Sequence, residues 1–388
     1  MLFRSLAEPK GRRLLPDESS GEFVPDSPGS TAGHLLFLRE QTLMSQAFDL
    51  TSLQLSGEPS AVAEQVAFTN TSPQIAASAS STGTVVFLTN GRPDRQLVWR
   101  DRSGKQLERI VNIGTGAPSL SLAPNETRVA FKRTNAQSVV EAALSDIGRH
   151  QEMRLFTPPL APSVVWSPDA TRVLFSATIA GTTGLYVRDA NGGREELLLR
   201  AIQNQRVASD WSHDGRMIVY TEVDPKTRGD IWLLPASPNA SPVPLLRTPA
   251  SESQGHISPD GRWLAYWSDE ADRDQIRVRP FAILDGAAAT SWAVPAEGPT
   301  LEPFWRADGK ELFYLQGIAG TRRWKVMAVS VGTTPNPLGQ PTMLFEFQTN
   351  VTSPQLNGFS YASSADGQRF LVSEFATELQ PTLDVILN

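Results

Sequence analysis

His256 to Glu270 reads HISPDGRWLAYWSDE. Ile257 ends a short apolar run, Ser258-Pro259-Asp260-Gly261 makes a tight turn, and Trp263, Ala265 and Trp267 then alternate with Leu264, Tyr266 and Ser268. Proline presets φ at the second turn position, aspartate bonds its own backbone two residues on, and glycine accepts the positive φ that closes the turn. The stretch reads as a β-hairpin.

Copies of it recur along the chain. Val165-Trp166-Ser167-Pro168-Asp169 leads into Arg172-Val173-Leu174-Phe175, and Asp210-Trp211-Ser212-His213-Asp214-Gly215 leads into Met217-Ile218-Val219-Tyr220. Phe304-Trp305-Arg306-Ala307-Asp308-Gly309 precedes Glu311-Leu312-Phe313-Tyr314, and Ser363-Ser364-Ala365-Asp366-Gly367 precedes Arg369-Phe370-Leu371-Val372. Weaker copies sit at Leu122-Ala123-Pro124-Asn125, Ser81-Thr82-Gly83 and Thr31-Ala32-Gly33. The aligned turn positions 32, 82, 125, 169, 214, 260, 308 and 366 lie 43 to 58 residues apart.

A period in the forties built from short strands marks a β-propeller, with one four-stranded sheet per repeat. The expectation is an all-β chain forming a single eight-bladed β-propeller of four-stranded antiparallel blades over residues 1–388. The blades fall near 22–66, 67–111, 116–157, 160–201, 206–248, 251–295, 299–347 and 357–388. The last shows three strands, so an N-terminal strand within residues 1–16, around Gly11-Arg12-Arg13-Leu14-Leu15, is expected to supply the fourth and close the ring. No segment sustains helical periodicity over a dozen residues, whereas period-two alternation recurs throughout.

Composition agrees with this and excludes several functions. The 388 residues are 40% hydrophobic and 20% charged, with 29 prolines and 28 glycines to serve many turns. A net charge of −6 and dispersed basic residues argue against a nucleic-acid partner. Cysteine is absent, which excludes disulfides and thiol chemistry. No apolar run approaches the ~18 residues of a membrane span. The opening MLFRSLAEPKGRRLL lacks the apolar core of a signal peptide.

The Ser-Pro-Asp-Gly turn before an aromatic strand resembles the TolB-type propeller repeat. The chain is more similar still to the propeller region that follows the kinase domain in bacterial serine/threonine protein kinases. LLFLREQTLMSQAFD, RQLVWRDRSGK, SPDGRWLAYWSDE, WRADGKELFYL and DGQRFLVSE…LDVILN, in that order, carry the likeness. The resemblance implies a scaffold outside the cytoplasm that senses or binds a ligand. Catalysis in that family belongs to the kinase domain, and no Gly-rich loop with a strand lysine, HRD-type or DFG-type segment occurs here. The family's propeller region also extends upstream of this sequence, so a fragment, a shortened relative and a stand-alone propeller are all compatible with it.

Candidate chemistry has a plainer alternative at each point. The aspartates 169, 214, 260, 308 and 366 occupy one turn position, which suits turn structure better than a carboxylate set. Asp269-Glu270-Ala271-Asp272-Arg273-Asp274 is a solvated hairpin tip or a calcium loop, though its spacing departs from the EF-hand. His34, His150, His213 and His256 fall in different repeats, so no histidine metal site is expected. His256 lies on an innermost strand, beside Glu252-Ser253-Gln254-Gly255, either facing the channel mouth or buried. Trp166, Trp211 and Trp305 are assigned to packing between blades. No Gly-x-Ser-x-Gly elbow or phosphate-cradling loop occurs.

Loops entering the innermost strands, and those joining second and third strands, share one face of a propeller. On that face the ligand-binding candidates are Arg92, Arg95, Gln205, Arg206, Glu252, Gln254, His256, Arg273 and Glu302. Their mixed charge suits a protein, peptide or carbohydrate ligand, and the module is expected to be a monomer without metal or cofactor. The alternative is a propeller enzyme, a hydrolase or lyase acting on a carbohydrate. Asp210, Glu252, His256 and Glu302 would then serve as general acid and base.

Overall fold

The computed structural model describes residues 2–3, 12–15, 20–39, 42–64, 66, 68–69, 72–80, 83–89, 94–115, 119–134, 140–156, 164–201, 204–226, 228–237, 240–270, 273–281, 290–333, 336–349, 358–376 and 382–386. The chain is all-β, and its sheets are antiparallel. Among the described residues no helix is long and apolar enough to cross a membrane. Among the described residues there are eight sheets of three or four strands, seven of them four-stranded. The backbone divides into two compact units, residues 94–376 and residues 1–93 with 377–388.

The hairpin turn forms as its sequence dictates. Ser258 Oγ donates to Asp260 Oδ1 at 2.6 Å and accepts from the Trp263 amide, while Asp260 Oδ1 accepts from the Arg262 amide at 3.1 Å. Gly261 has φ of 70°. The same aspartate-to-amide bond, two residues on, recurs at Asp169, Asp214, Asp308 and Asp366. These carboxylates therefore have a backbone task. Asp308, clamped by the Arg306 guanidinium, is held down at about 2. Where the glycine is missing, Ala170 takes the positive φ itself, at 57°.

The larger unit holds six four-stranded blades. Blade I is Leu120–Leu122, Arg128–Thr134, Val140–Asp146 and Gln151–Phe156. Blade II is Val164–Trp166, Arg172–Ile179, Thr182–Asp189 and Glu196–Arg200. Blade III is Gln205–Trp211, Met217–Asp224, Arg228–Pro235 and Val243–Leu246. Blade IV is Glu252–Ile257, Trp263–Ser268, Gln275–Pro280 and Trp292–Ala293, and blade V is Thr300–Trp305, Glu311–Gly317, Arg323–Val331 and Leu338–Gln348. Blade VI joins Tyr361–Ser363 and Arg369–Phe375 to Arg95–Asp101 and Gln106–Gly114.

Period-two alternation sends successive side chains of one strand to opposite neighbours. In blade I, Ala130 packs with Phe175 of blade II, while Val129 and Phe131 pack with Leu97 and Leu371 of blade VI. Shared cores likewise join blades II and III, III and IV, IV and V, and V and VI. The circle of six therefore closes on itself. Arginines reinforce it: Arg128 lies 5.2 Å from the Trp166 ring of the next blade, and Arg172 5.2 Å from that of Trp211.

The expected closing strand is corrected here. Arg12–Arg13 pairs with Leu2–Phe3, while the C-terminal segment gives this blade two strands rather than three, and the third and fourth are Arg95–Asp101, paired with Arg369–Phe375 over seven positions, and Gln106–Gly114. Arg95–Asp101 buries Leu97, Val98 and Trp99 completely or nearly so, and Arg100 adds a two-pronged ion pair to Glu374. The region expected as a second blade, 67–111, is accordingly shared between the units.

In the smaller unit, Gly21–Pro25, Ala32–Arg39, Thr42–Asp49 and Gln54–Ala63 form a four-stranded sheet. Ala77–Ala79, Val85–Thr89 and Thr382–Ile386 form a three-stranded one, so the C-terminal strand enters a different sheet from Arg369–Phe375. Leu36, Leu38, Leu43, Val66, Val85 and Phe87 make its core.

Candidate functional site

The first strand of each blade in the larger unit touches its counterpart in the next. These inner strands have two ends. The turn end carries the Ser-Pro-Asp turns, and the mouth end carries the loops that enter each inner strand.

A cavity of about 170 Å³ lies at the turn end, where inner strands of all six blades converge. Residues four before the turn aspartate share one register and converge there: Ser121, Val165, Asp210, His256 and Phe304. Trp166, Trp211, Trp305 and Phe359 add aromatic wall, and Pro124, Pro168, His213 and Pro259 of the turns stand at its rim. The tryptophans also tie blades together. Trp305 Nε1 donates to the His256 carbonyl at 3.0 Å, and Trp166 Nε1 to that of Ser121 at 2.9 Å.

Asp210 and His256 are the polar pair of this cavity. Both Asp210 oxygens accept backbone amides, from Trp211 at 2.9 Å and from Ile257 of the next blade at 2.8 Å. Burial nevertheless pushes this carboxyl up to about 7, against the pull of those two amides. His256 approaches it at 3.8 Å and packs against Phe359 and Phe304, with ring centroids 4.8 and 5.7 Å away. Burial presses the imidazole down to about 3. The histidine is therefore neutral at physiological pH, and the 3.8 Å approach is a polar contact rather than a salt bridge. Its Nε2 is buried without a hydrogen-bond partner.

At the mouth end, β-bulges in blades IV and V put Gln254 and Glu302 at φ of 53° and 54°. The extra residue points its side chain at the unpaired edge of the next inner strand. Gln254 Oε1 accepts the Glu302 amide at 2.9 Å, and Glu302 Oε2 accepts both the amide and the hydroxyl of Ser360 at 2.7 Å. Tyr361 OH donates to the Glu302 carbonyl at 2.9 Å. Burial raises Glu302 to about 7, opposed by Ser360 and Arg95. Arg95 is 1% exposed, donates through Nη1 to Thr349 Oγ1 at 2.9 Å and to the Ser373 carbonyl at 3.3 Å, and lies 4.2 Å from the Phe375 ring centroid.

The remaining candidates stand apart from these two groups. Arg206 pairs with Glu222 at 2.8 Å, and Gln205 begins blade III. Glu252 accepts the Thr248 hydroxyl and is raised to about 7, chiefly by burial. Arg273 is exposed. Arg92 and Asp272 lie outside the described residues. Of the nine binding candidates, His256 alone lines the cavity, and it does so at the opposite end of its strand from the Glu252–Gly255 segment. Among the described residues no three His, Asp or Glu side chains are grouped to hold a metal ion. Sequence reasoning missed Phe359 and the turn prolines as cavity residues, and Lys132 at the mouth. Reading down the column four residues before each turn aspartate would have found most of the cavity wall.

Comparison with solved structures agrees with this architecture. A putative TolB from Agrobacterium tumefaciens matches with a TM-score of 0.59 at 14% identity, over 74% of this chain and 99% of that one. TolB from Acinetobacter baumannii gives 0.49 at 13% identity, covering 81% of this chain and 82% of its own. An oligogalacturonate lyase in complex with manganese gives 0.46 at 12% identity, over 75% of each chain. No family model matches the chain, and no curated protein does. The fold is that of a TolB-like β-propeller.

Proposed function

We propose that the protein is a non-catalytic binding or sensory propeller, displayed outside the cytoplasm as its resemblance to kinase-linked propellers implies, which takes a protein, peptide or carbohydrate ligand at the ends of its inner strands. The fate of the candidate carboxylates carries this reading. General acid and base work needs a carboxyl with a free oxygen facing substrate, and in glycosidases a second one roughly 5–10 Å away. Asp210 spends both oxygens on backbone amides, and Glu302 commits one to Ser360. These two stand on blades III and V, which are not neighbours, with Glu302 six residues before its turn aspartate and Asp210 four before its own. Their bonds stitch blade to blade, which is a structural task.

One observation favours an enzyme. Asp210, Glu252 and Glu302 are all raised to about 7, where an acid catalyst works best. In each the leading cause is burial rather than a neighbouring carboxylate, as expected of interior groups bonded to their surroundings. Probing glycan and peptide arrays with the full chain, then incubating each bound sugar with the protein, separates the two readings. Binding without release of cleaved product is expected. Turnover of a bound sugar, abolished in Asp210→Asn or Glu302→Gln, would establish the enzyme instead.

A further inference from the structure

We propose that the turn-end cavity of the six-blade unit is a binding site for a neutral phenolic ring, either the side chain of a tyrosine or a free phenol, with its hydroxyl on His256 Nδ1. This deepens the binding reading and rests on it. The cavity measures about 170 Å³, and all of its walls belong to the six-blade unit. An apolar cavity of about 150 Å³ admits benzene, so the space here holds one six-membered ring and a small substituent. Val165, Phe304, Phe359 and the wall tryptophans offer that ring apolar contact.

His256 supplies the polar contact. The residue is 9% exposed, and neither ring nitrogen has a hydrogen-bond partner among the described residues. The two nitrogens differ in access. Nε2 is sealed from solvent, whereas Nδ1 is not and stands 3.8 Å from Asp210 Oδ1, beyond hydrogen-bond range. Phe359 and Phe304 fix the ring, with centroids 4.8 and 5.7 Å away, so receiving a ligand requires little ordering. A hydroxyl both donates and accepts, and it therefore satisfies Nδ1 in either neutral tautomer.

The rest of the wall decides the class of ligand. The indole N–H groups of Trp166, Trp211 and Trp305 are bonded to backbone carbonyls, and the Ser209 hydroxyl to that of Gly255. Asp210 spends both oxygens on amides. A sugar would therefore bring several hydroxyls to a wall whose side chains offer, beyond His256, at most Ser121 and the rim's His213, and each hydroxyl buried unpaired costs affinity. One hydroxyl on a flat ring fits better. A cation is disfavoured because guanidinium groups already lie 5.2 Å from the rings of Trp166 and Trp211. An anion is disfavoured because Asp210, pushed up to about 7, is part-ionised near neutrality, and among the described residues no lysine or arginine lines the wall. A phenol, with an ordinary pKa of about 10, enters neutral.

Calorimetric titration of the full chain at neutral pH, with p-cresol, toluene, D-glucose and N-acetyl-L-tyrosinamide as probes, tests this. p-Cresol is expected to bind ~10-fold more tightly than toluene, the worth of one hydrogen bond, and glucose not measurably. His256→Phe keeps a ring of similar size and removes both nitrogens, so it should weaken p-cresol ~10-fold and leave toluene unchanged, whereas a merely structural histidine would weaken both alike. Should that variant fail to fold, Val165→Phe decides: it fills the cavity from blade II without replacing either polar residue and should abolish binding of both ligands. Tyrosinamide binding comparable to that of p-cresol assigns the site to a tyrosine side chain, and its exclusion with p-cresol retained assigns it to a free phenol. Toluene or glucose binding as tightly as p-cresol, or undiminished p-cresol affinity in either folded variant, overturns the phenolic site while leaving a binding module intact. Cleavage of a sugar by protein that still prefers p-cresol would sink the non-catalytic reading and leave the site standing.

Discussion

The two ends of the inner strands solve one problem with different residues. At both, a polar side chain of one blade caps an amide of the next, because an inner strand has an unpaired edge that must be satisfied once buried. At the turn end Asp210 spends both oxygens, in a cavity walled by tryptophan and phenylalanine. At the mouth end Glu302 spends one oxygen on both Ser360 donors and lies within electrostatic reach of the buried Arg95. The difference teaches how each acid is used: the turn end spends both oxygens of Asp210 and leaves His256 Nε2 unpaired, while the mouth end spends one oxygen of Glu302 and leaves Arg95 Nη2 unpaired.

That contrast is breakable. Asp210→Ala strands two buried amides, each costing about 1–3 kcal/mol, so a loss of about 2–6 kcal/mol is expected in urea unfolding. An unchanged midpoint would show that water replaces the carboxylate easily and that the turn end is not saturated. Glu302→Gln keeps one oxygen for both Ser360 donors and should be tolerated.

The pH dependence of Glu302→Gln is sharper. A carboxyl raised from its ordinary 4.5 to about 7 contributes its full stability below the unfolded value and loses it as pH rises through the folded one. At about 1.4 kcal/mol per unit, wild type should lose about 3 kcal/mol relative to Glu302→Gln between pH 4 and pH 8. Parallel stability curves would mean the carboxyl is not desolvated. His256 has the opposite sign: its folded value is depressed, so its cost grows as pH falls below about 6.5. His256→Phe should therefore gain on wild type only in acid, which equilibrium unfolding at pH 4 and pH 8 will show.

Smaller effects refine the picture. Trp305→Phe loses the bond to the His256 carbonyl and should cost about 1 kcal/mol by thermal melting. Ala170→Gly should stabilise by about 0.5–1 kcal/mol, since glycine adopts that positive φ without strain. No gain would show the turn relaxed around the alanine.

Much of this was legible in the residues. Aspartate at a fixed turn position and alternating strands after it announced sheets of near-constant length, and the aspartates hold their turns as their spacing implied. The strand that completes the last blade was not legible. Arg95–Asp101 is an ordinary alternating strand, and nothing local marks that it pairs with Arg369–Phe375, more than 260 residues away. The site was half legible. Asp210, His256 and Glu302 stood out by type and strand, but the bulges that turn Gln254 and Glu302 toward the next blade leave no period in sequence. Lys132 read as one more surface lysine.

The sequence by itself determined the repeat, the turns and the alternation, because these depend on contacts between residues close along the chain. Only the tertiary structure decided which strand closes the circle of six, which end of an inner strand holds a cavity, and which charged groups lie buried. Those outcomes depend on burial between distant segments, where the free energy of desolvating a charge or an amide is set by neighbours that no local pattern names.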